Sequence, residues 1–232
     1  MNNKPITVVC LRQGDDYCNT IRDEYVTRLR DAVKVRLQKP HKFICYTDHP
    51  TPGVECRPPL EPTWEGWWGK LAFFSDFMPG HRIIYLDLDL VLCGDLGLVA
   101  DWPQDFGIAS DFLQSTPNSS VFVVDSGSHA EVYEEAKRLI AGKGVRHRCG
   151  IKAHGTLDHR SDQEFIREAL NPRGVWWRQF PMAWFPPYKW GGPGGTPITT
   201  ANPFGAIAVL FHGSPKMHEA ACDGTWVREV WG

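Results

Sequence analysis

Two aspartates set two residues apart, Asp87 and Asp89, interrupt a strongly apolar run, Ile83-Ile84-Tyr85-Leu86-Asp87-Leu88-Asp89-Leu90. In an extended strand such residues project from the same face. The spacing therefore predicts two carboxylates side by side, with Leu86, Leu88 and Leu90 turned into a core. Like charges so placed repel, and taking them out of water unpaired is costly. A hard divalent cation relieves both penalties, because Mg2+ and Mn2+ favour oxygen ligands. Capping a turn or pairing with a basic side chain would also account for the two aspartates. Ligands of open α/β sheets gather at the carboxyl ends of strands, which is where this run places the pair.

Other polar residues close or open apolar segments. His212-Gly213 ends the run Ala206 to Phe211, with Lys216 three residues on, and Asp111 ends Phe106 to Ser110. Ser161-Asp162-Gln163-Glu164 has the form of a capping box, which by itself explains Ser161 and Glu164. Lys70 falls inside a helical segment. Each has a plain structural reading: a satisfied core histidine, a strand end, a helix start, a solvated lysine. Seven of the ten tryptophans gather in two groups, Trp64, Trp67 and Trp68, then Trp176, Trp177, Trp184 and Trp190. Aromatic faces suit the apolar faces of sugar rings, but Trp also buries large areas in cores. The first group opens a helix and is assigned to the core. The loop-like stretch Pro181 to Trp190 is assigned to acceptor contact.

The elements that must position these residues follow from periodicity. Ile6 to Leu11 predicts a first strand. Ile21, Tyr25, Leu29, Val33 and Leu37 recur every fourth residue and predict a helix, capped at Asn19 or Thr20 and stopped by Lys39-Pro40. Lys42 to Thr47 predicts a strand, followed by a loop from Asp48 to Thr63. Trp67 to Met78 predicts a helix ended by Pro79-Gly80. Arg82 to Leu92 predicts one long strand. Strands at Phe106 to Ser110, Val121 to Asp125, Val175 to Phe180 and Ala206 to Phe211 alternate with helices at Ala130 to Ala141 and Asp162 to Leu170. Pro181 to Phe204 is too rich in Pro and Gly for a regular element and reads as a binding loop. This alternation predicts one α/β domain over residues 1–232, with a mostly parallel central sheet flanked by helices.

Composition narrows the function. A net charge of -2 and a pI near 6.5 over 232 residues leave no electrostatic footprint of a nucleic-acid binder. The polar N-terminus does not read as a signal peptide, and no apolar run reaches membrane-spanning length. Seven scattered cysteines without a C-x-x-C pair suggest neither a disulfide framework nor a zinc site. A reducing, cytoplasmic address is expected.

Read in order, these segments resemble the retaining glycosyltransferases of family 8, the family of glycogenin, plant galactinol synthases and bacterial lipopolysaccharide hexosyltransferases. The resemblance spans nearly the whole chain and implies the GT-A (nucleotide-diphospho-sugar transferase) fold, a UDP-sugar donor, a metal ion and transfer with retention. Val9-Cys10-Leu11 with Asp16-Tyr17 resembles the first strand and base-holding loop, which implies Leu11 and Tyr17 at the nucleotide. Lys70 is similar to a helix lysine that reaches the donor, and Asp87-Leu88-Asp89 to the metal-binding Asp-x-Asp. Ile108-Ala109-Ser110-Asp111 resembles the segment whose aspartate contacts the donor sugar. Asn118-Ser119-Ser120-Val121-Phe122 resembles an Asn-Ser-Gly-Val-Phe strand, with Ser120 in place of glycine. Asp162-Gln163 resembles the Asp-Gln pair near the reactive carbon. Phe211-His212-Gly213-Ser214-Pro215-Lys216 resembles the His-Gly-x-x-Lys motif, whose histidine completes the metal site and whose lysine holds the diphosphate. Met217-His218 stands where the family has Pro-Trp.

The resemblance therefore implies a metal site of Asp87, Asp89 and His212, and the imidazole favours Mn2+ over Mg2+. The metal and Lys216 would neutralise charge building on the leaving diphosphate, and Gly213 would let the backbone approach it. The donor's own phosphate would take the acceptor proton, with Asp162, Gln163 and Asp111 around the reacting sugar. The acceptor, whether carbohydrate, lipid-linked or protein, is not encoded in these motifs. A non-catalytic carbohydrate-binding protein or a donor hydrolase of the same fold are the competing readings. A nucleotidylyltransferase is disfavoured, because Arg12-Gln13-Gly14 is too thin for its Gly-rich loop.

Overall fold

The computed structural model describes residues 3–14, 21–64, 66–111, 117–143, 161–170, 179–200, 203–222 and 226–231. Its centre is a six-stranded sheet, built from β1 (Ile6–Arg12), β2 (His41–Thr47), β3 (Cys56–Arg57), β4 (Arg82–Leu86), β6 (Phe106–Ser110) and β7 (Pro117–Asp125), in the order β3-β2-β1-β4-β7-β6. The first four strands are mutually parallel. β7 runs antiparallel to β4, and β6 antiparallel to β7, so β6 points with the other four. A two-stranded antiparallel sheet pairs β5 (Leu90–Leu92) with β8 (Ala208–Leu210). The helices are α1 (Asp23–Arg36), α2 (Gly97–Ala100), α3 (Ala130–Lys143), α4 (Asp162–Leu170), α5 (Met217–Cys222) and α6 (Trp226–Trp231). The mostly parallel α/β architecture expected of the sequence is the one observed.

Side chains alternating along the strands feed two cores, one on each face of the sheet. Val8, Cys10, Ile84 and Leu86 join α1, α5, α6 and the small sheet. Val9, Leu11, Ile83 and Tyr85 join an aromatic core with Phe73, Phe74, Phe122 and residues of α3 and α4. Leu86, Leu88 and Leu90 all lie in the first core, as the alternation requires. Trp64 and Trp68 are buried in the second, which confirms the core assignment for that group.

Several boundaries differ from expectation. The long strand from Arg82 to Leu92 is two strands in two sheets, broken at Asp87–Asp89. The Asp87 amide bonds the Ser120 carbonyl, and the Phe211 amide then bonds the Asp89 carbonyl, so the chain passes from one sheet to the other across the acidic residues. Two carboxylates would otherwise be held inside a buried strand, and the break carries them to the sheet edge. The helix expected over Trp67 to Met78 is a 3-10 helix, Gly66–Phe74. Trp68, Leu71, Ala72, Phe73 and Phe74 are all buried, so it has no solvent face. Its end is taken over by serine hydroxyls: Ser75 Oγ donates to the Ala72 carbonyl at 2.6 Å, and Ser126 Oγ accepts from the Met78 amide at 3.1 Å. α1 starts at Asp23 with Arg22 as its N-cap and no side-chain cap, and Asp23 and Glu24 occupy its first turn, where the helix dipole welcomes acids. Asn19 and Thr20 lie outside the described residues, as does most of Val175 to Phe180, although Gln179 bridges Ile108. β3 was not anticipated, being two residues long within the predicted loop. Three cysteines, Cys10, Cys45 and Cys56, occupy matching register positions on β1, β2 and β3. Burial pushes the Cys10 thiol well above its ordinary pKa, in keeping with a core residue.

Candidate active site

The carboxyl ends of β1, β4 and β6 open on one edge of the large sheet, and β7 begins there because it runs the other way. Its start holds an irregularity. Ile108 pairs with Phe122 but Ala109 pairs with Asn118, so Ser119 and Ser120 have no partner on β6. The Ser120 carbonyl instead accepts the Asp87 amide at 2.8 Å, which extends β4 by one bond, and Ser119 beside it reaches Lys70. The segment that resembles the family strand is thus delivered to the site by a slip in register.

Around Asp87 the polar groups are buried and mutually satisfied. Lys70, 4% exposed, donates to both Asp87 carboxylate oxygens at 2.9 and 3.1 Å. Lys70 Nζ also lies 3.5 Å from Asp162 Oδ2 and 3.4 Å from Ser119 Oγ. The Tyr85 hydroxyl donates to Asp87 Oδ1 at 2.7 Å, and Ser119 Oγ donates to Asp162 Oδ2. Burial works against the charge on Lys70, but the carboxylates of Asp87 and Asp162 outweigh it and hold the ammonium above its usual pKa. Burial likewise opposes ionisation of Asp87, and Lys70 and Tyr85 overcome it, holding that carboxyl below its usual range.

Two residues on, Asp89 meets a different partner. Lys216 Nζ donates to Asp89 Oδ2 at 2.7 Å and lies 3.5 Å from the Phe211 carbonyl. Both side chains keep about a fifth of their surface exposed, 19% and 20%. Lys216 begins a short helical turn in which its amide donates to Glu219 at 2.6 Å. Gly213 takes φ +68°, a left-handed conformation open to glycine, so the turn between His212 and Lys216 depends on that residue. His212 Nε2 lies 3.2 Å from Asn118 Nδ2. Asn118 Oδ1 accepts the Ser120 amide at 2.9 Å, which orients the carboxamide with its NH2 toward the ring. In this contact the carboxamide NH2 is the donor and Nε2 the acceptor.

Asp87, Asp89, His212, Lys70, Lys216, Asn118, Ser119, Gly213 and Asp162 all fall on this edge. The same-face geometry expected for Asp87 and Asp89 is not what links them; each has its own lysine. Leu88 lies between them with its side chain in the core. Leu11, next to last in β1, lies under the 3-10 helix: a Cβ on Gly69 would stand 2.8 Å from Leu11 Cδ2 and 2.7 Å from Gln13 Oε1, so glycine lets the helix carrying Lys70 sit against β1. Asp111, half-buried, directly follows β6, one residue beyond the Ser110–Pro117 pair. Gln163 is half-buried on the first turn of α4, beside Asp162. Ser161 Oγ accepts the Glu164 amide at 3.3 Å, so the capping reading holds alongside the placement of Asp162 in the site. Tyr17, and Asp16 beside it, lie outside the described residues.

Two carboxylates and an imidazole are a donor set that suits Mn2+ chemically. Among the described residues no three such groups already stand together as a metal-holding cluster. An ion taking Asp89 and His212 would compete with Lys216 for one and Asn118 for the other. Tyr85 and Lys189 are additions to the expected set: Tyr85 was visible only as part of the apolar run, and Lys189 sits in the Pro/Gly-rich stretch without a pattern to mark it. That stretch also divides. Trp184 packs on Trp102 and Phe180 with the core, whereas Trp190 is 40% exposed. Trp176 and Trp177 lie outside the described residues.

A sheet of this order, with its acidic crossover at the carboxyl edge, defines the GT-A fold. Solved structures similar to this chain include glycosyltransferases. GlyE of Streptococcus pneumoniae TIGR4 aligns over 93% of this chain and 56% of its own, at 12% identity and a TM-score of 0.57. The galactosyltransferase LgtC, solved with donor and acceptor sugar analogues, aligns over 97% and 95%, at 11% identity and 0.59. The bifunctional glycosyltransferase WbbM aligns over 99% and 51%, at 11% and 0.58. The chain thus spans about half the length of GlyE and WbbM and nearly all of LgtC. No family model matches the sequence, and no curated protein does.

Proposed function

We propose that this protein is a glycosyltransferase that moves a hexose from a nucleotide-diphosphate sugar, with UDP as the first candidate, to a carbohydrate, lipid-linked or protein acceptor. One observation carries the reading most: Lys70, Asp87, Ser119 and Asp162 converge through direct polar contacts at the carboxyl edge of a GT-A sheet, although they come from four separate segments. A structural role alone does not call for a buried lysine between two carboxylates, since apolar residues of similar volume stabilise a core at least as well.

In this reading the site divides its labour. Asp87, Asp89 and His212 would hold a divalent ion, Mn2+ rather than Mg2+, and when bound that ion supplies positive charge to the departing diphosphate. Lys216, drawn from Asp89, adds a point charge to the same group. Lys70 and Ser119 orient Asp162, so that its carboxyl group faces the electron-poor sugar carbon, with Gln163 and Asp111 completing the walls of the sugar pocket. Leu11 and Tyr17 border the nucleotide, and Trp190 offers its exposed indole to an acceptor. Retention of configuration is part of the proposal and rests on the resemblance alone; a cytoplasmic site of action is proposed from the scattered cysteines. No helix among the described residues is long and apolar enough to cross a membrane.

The test is release of UDP from UDP-glucose and UDP-galactose with Mn2+, and again with chelator. Metal-dependent release that rises with added acceptor sugars supports transfer. Release indifferent to every acceptor points to the hydrolase reading, and none from any nucleotide sugar by the folded protein refutes the proposal.

A further inference from the structure

We propose that Lys189 is an anion-binding residue of this site, placed to take a diphosphate beside the Gly213 turn. Its ammonium lies 3.4 Å from where a Cβ on Gly213 would stand, so it flanks the same turn that Lys216 flanks through Phe211 and Asp89. The two lysines differ in occupation. Lys216 spends its charge on Asp89. Lys189 has no carboxylate or hydrogen-bond partner among the described residues, and its ammonium lies 5.6 Å from the centre of the Trp190 ring. A half-buried ammonium with no counter-charge among the described residues keeps its donors for a ligand.

The backbone holds that side chain in place. The residue before it, Tyr188, donates its amide to the Leu210 carbonyl at 2.8 Å, accepts the Ile198 amide at 2.8 Å, and stacks on Phe211 with ring centroids 4.4 Å apart. The residues after it are fixed as firmly. The Gly191 amide bonds the Pro187 carbonyl at 2.8 Å, and the Gly192 amide bonds Thr196 at 2.9 Å. A Cβ on Gly191 would meet the Pro187 carbonyl at 2.6 Å, and one on Gly192 the Pro197 carbonyl at 2.7 Å, so both glycines are needed for the loop to close on itself. Lys189 is thus mounted at a pinned corner stitched to β8, and little ordering entropy remains to oppose binding. A dianionic or trianionic phosphate chain suits a site with one ammonium beside an exposed glycine and a second close to the Phe211 carbonyl of the same turn, the glycine's missing side chain letting phosphate oxygens approach the backbone.

Identifying that anion with the donor's leaving group rests on the transferase reading; the anion site itself does not. The experiment is therefore calorimetry of the full chain with inorganic pyrophosphate, then UDP, then uridine, for the wild type, Lys189→Ala and Lys189→Arg. Pyrophosphate and UDP are expected to weaken about tenfold in Lys189→Ala and to recover most of that in Lys189→Arg, the size of one charge-assisted contact. Uridine affinity and the unfolding midpoint should stay unchanged, a pattern that a merely structural residue would not produce. Equal pyrophosphate affinity in wild type and Lys189→Ala, or none in the wild type, overturns the inference. Loss of pyrophosphate binding in that variant, in a protein that turns over no nucleotide sugar, would uphold the anion site while sinking the transferase reading. Unchanged pyrophosphate binding beside full sugar transfer would do the reverse.

Discussion

Asp87 and Asp89 are two residues apart, yet they live in different regions of the molecule. Asp87 sits in a closed network with Lys70, Tyr85, Ser119 and Asp162, where each charge has an opposite charge and each hydroxyl a carboxylate. Asp89 has a lysine from a distant turn and a fifth of its surface in water. A buried pair is rigid because breaking it leaves a charge without solvent, whereas a half-exposed pair exchanges partners at little cost. In the proposed metal site the first aspartate would be a ligand fixed in advance by its network, and the second a ligand that must first give up its lysine. A ligand would reorganise the Lys216 side and leave the Lys70 side as it stands.

The strongest way to break this comparison is Lys70→Ala. It strands Asp87 and Asp162 as buried carboxylates without a cation, and a loss of about 3–5 kcal/mol in urea unfolding is expected. A cost below about 1 kcal/mol would show that the network is not a closed one.

Next comes acid. Lys70 and Tyr85 hold the Asp87 carboxyl below its ordinary range, so the unfolded chain takes up this proton more readily than the folded one. Stability from this group is present above the unfolded carboxylate value and lost as pH falls through the folded one. Lys70 is raised, so its contribution is complete at neutral pH and fades only in strong alkali. Unfolding midpoints followed down through the carboxylate range in metal-free buffer should fall less steeply in Asp87→Asn than in the wild type. Parallel curves would remove Asp87 from the account of acid stability.

The smallest stability effect is expected for Lys216→Ala, under about 1 kcal/mol, because its ion pair is half-exposed and screened. Its pyrophosphate affinity should nonetheless drop about tenfold by calorimetry. A large stability loss with intact affinity would invert the roles of the two regions.

How much of this was legible in the sequence follows from which forces are local. The β-branched run Ile6 to Leu11, the fourfold period from Ile21 to Leu37, and the capping box at Ser161 are short-range patterns, and each became the expected element. The break at Asp87–Asp89 was hidden because the apolar pattern continues through Leu90, Val91 and Leu92, which are buried in another sheet. Hydropathy reports burial and is silent on which sheet does the burying. The Gly66–Phe74 segment misled for a related reason: with core all around it, no amphipathic period distinguishes a 3-10 from an α-helix. The site's residues were recognisable one motif at a time, but their pairing was not. Lys70 and Asp87 are 17 positions apart and Asp89 and Lys216 are 127, so their contacts exist only once the sheets are assembled. Lys189 could not be read at all, since its significance comes from a loop closed by Gly191 and Gly192 onto β8.

The most direct test of the central claim is calorimetry of UDP, with Mn2+ and with chelator, on the wild type and on Asp89→Ala. The account predicts Mn2+-dependent UDP binding by the wild type, and an Asp89→Ala variant that folds with an unchanged unfolding midpoint but has lost that binding. An Asp89→Ala protein that binds UDP and Mn2+ as the wild type does, or a folded wild type that binds no UDP, would contradict it.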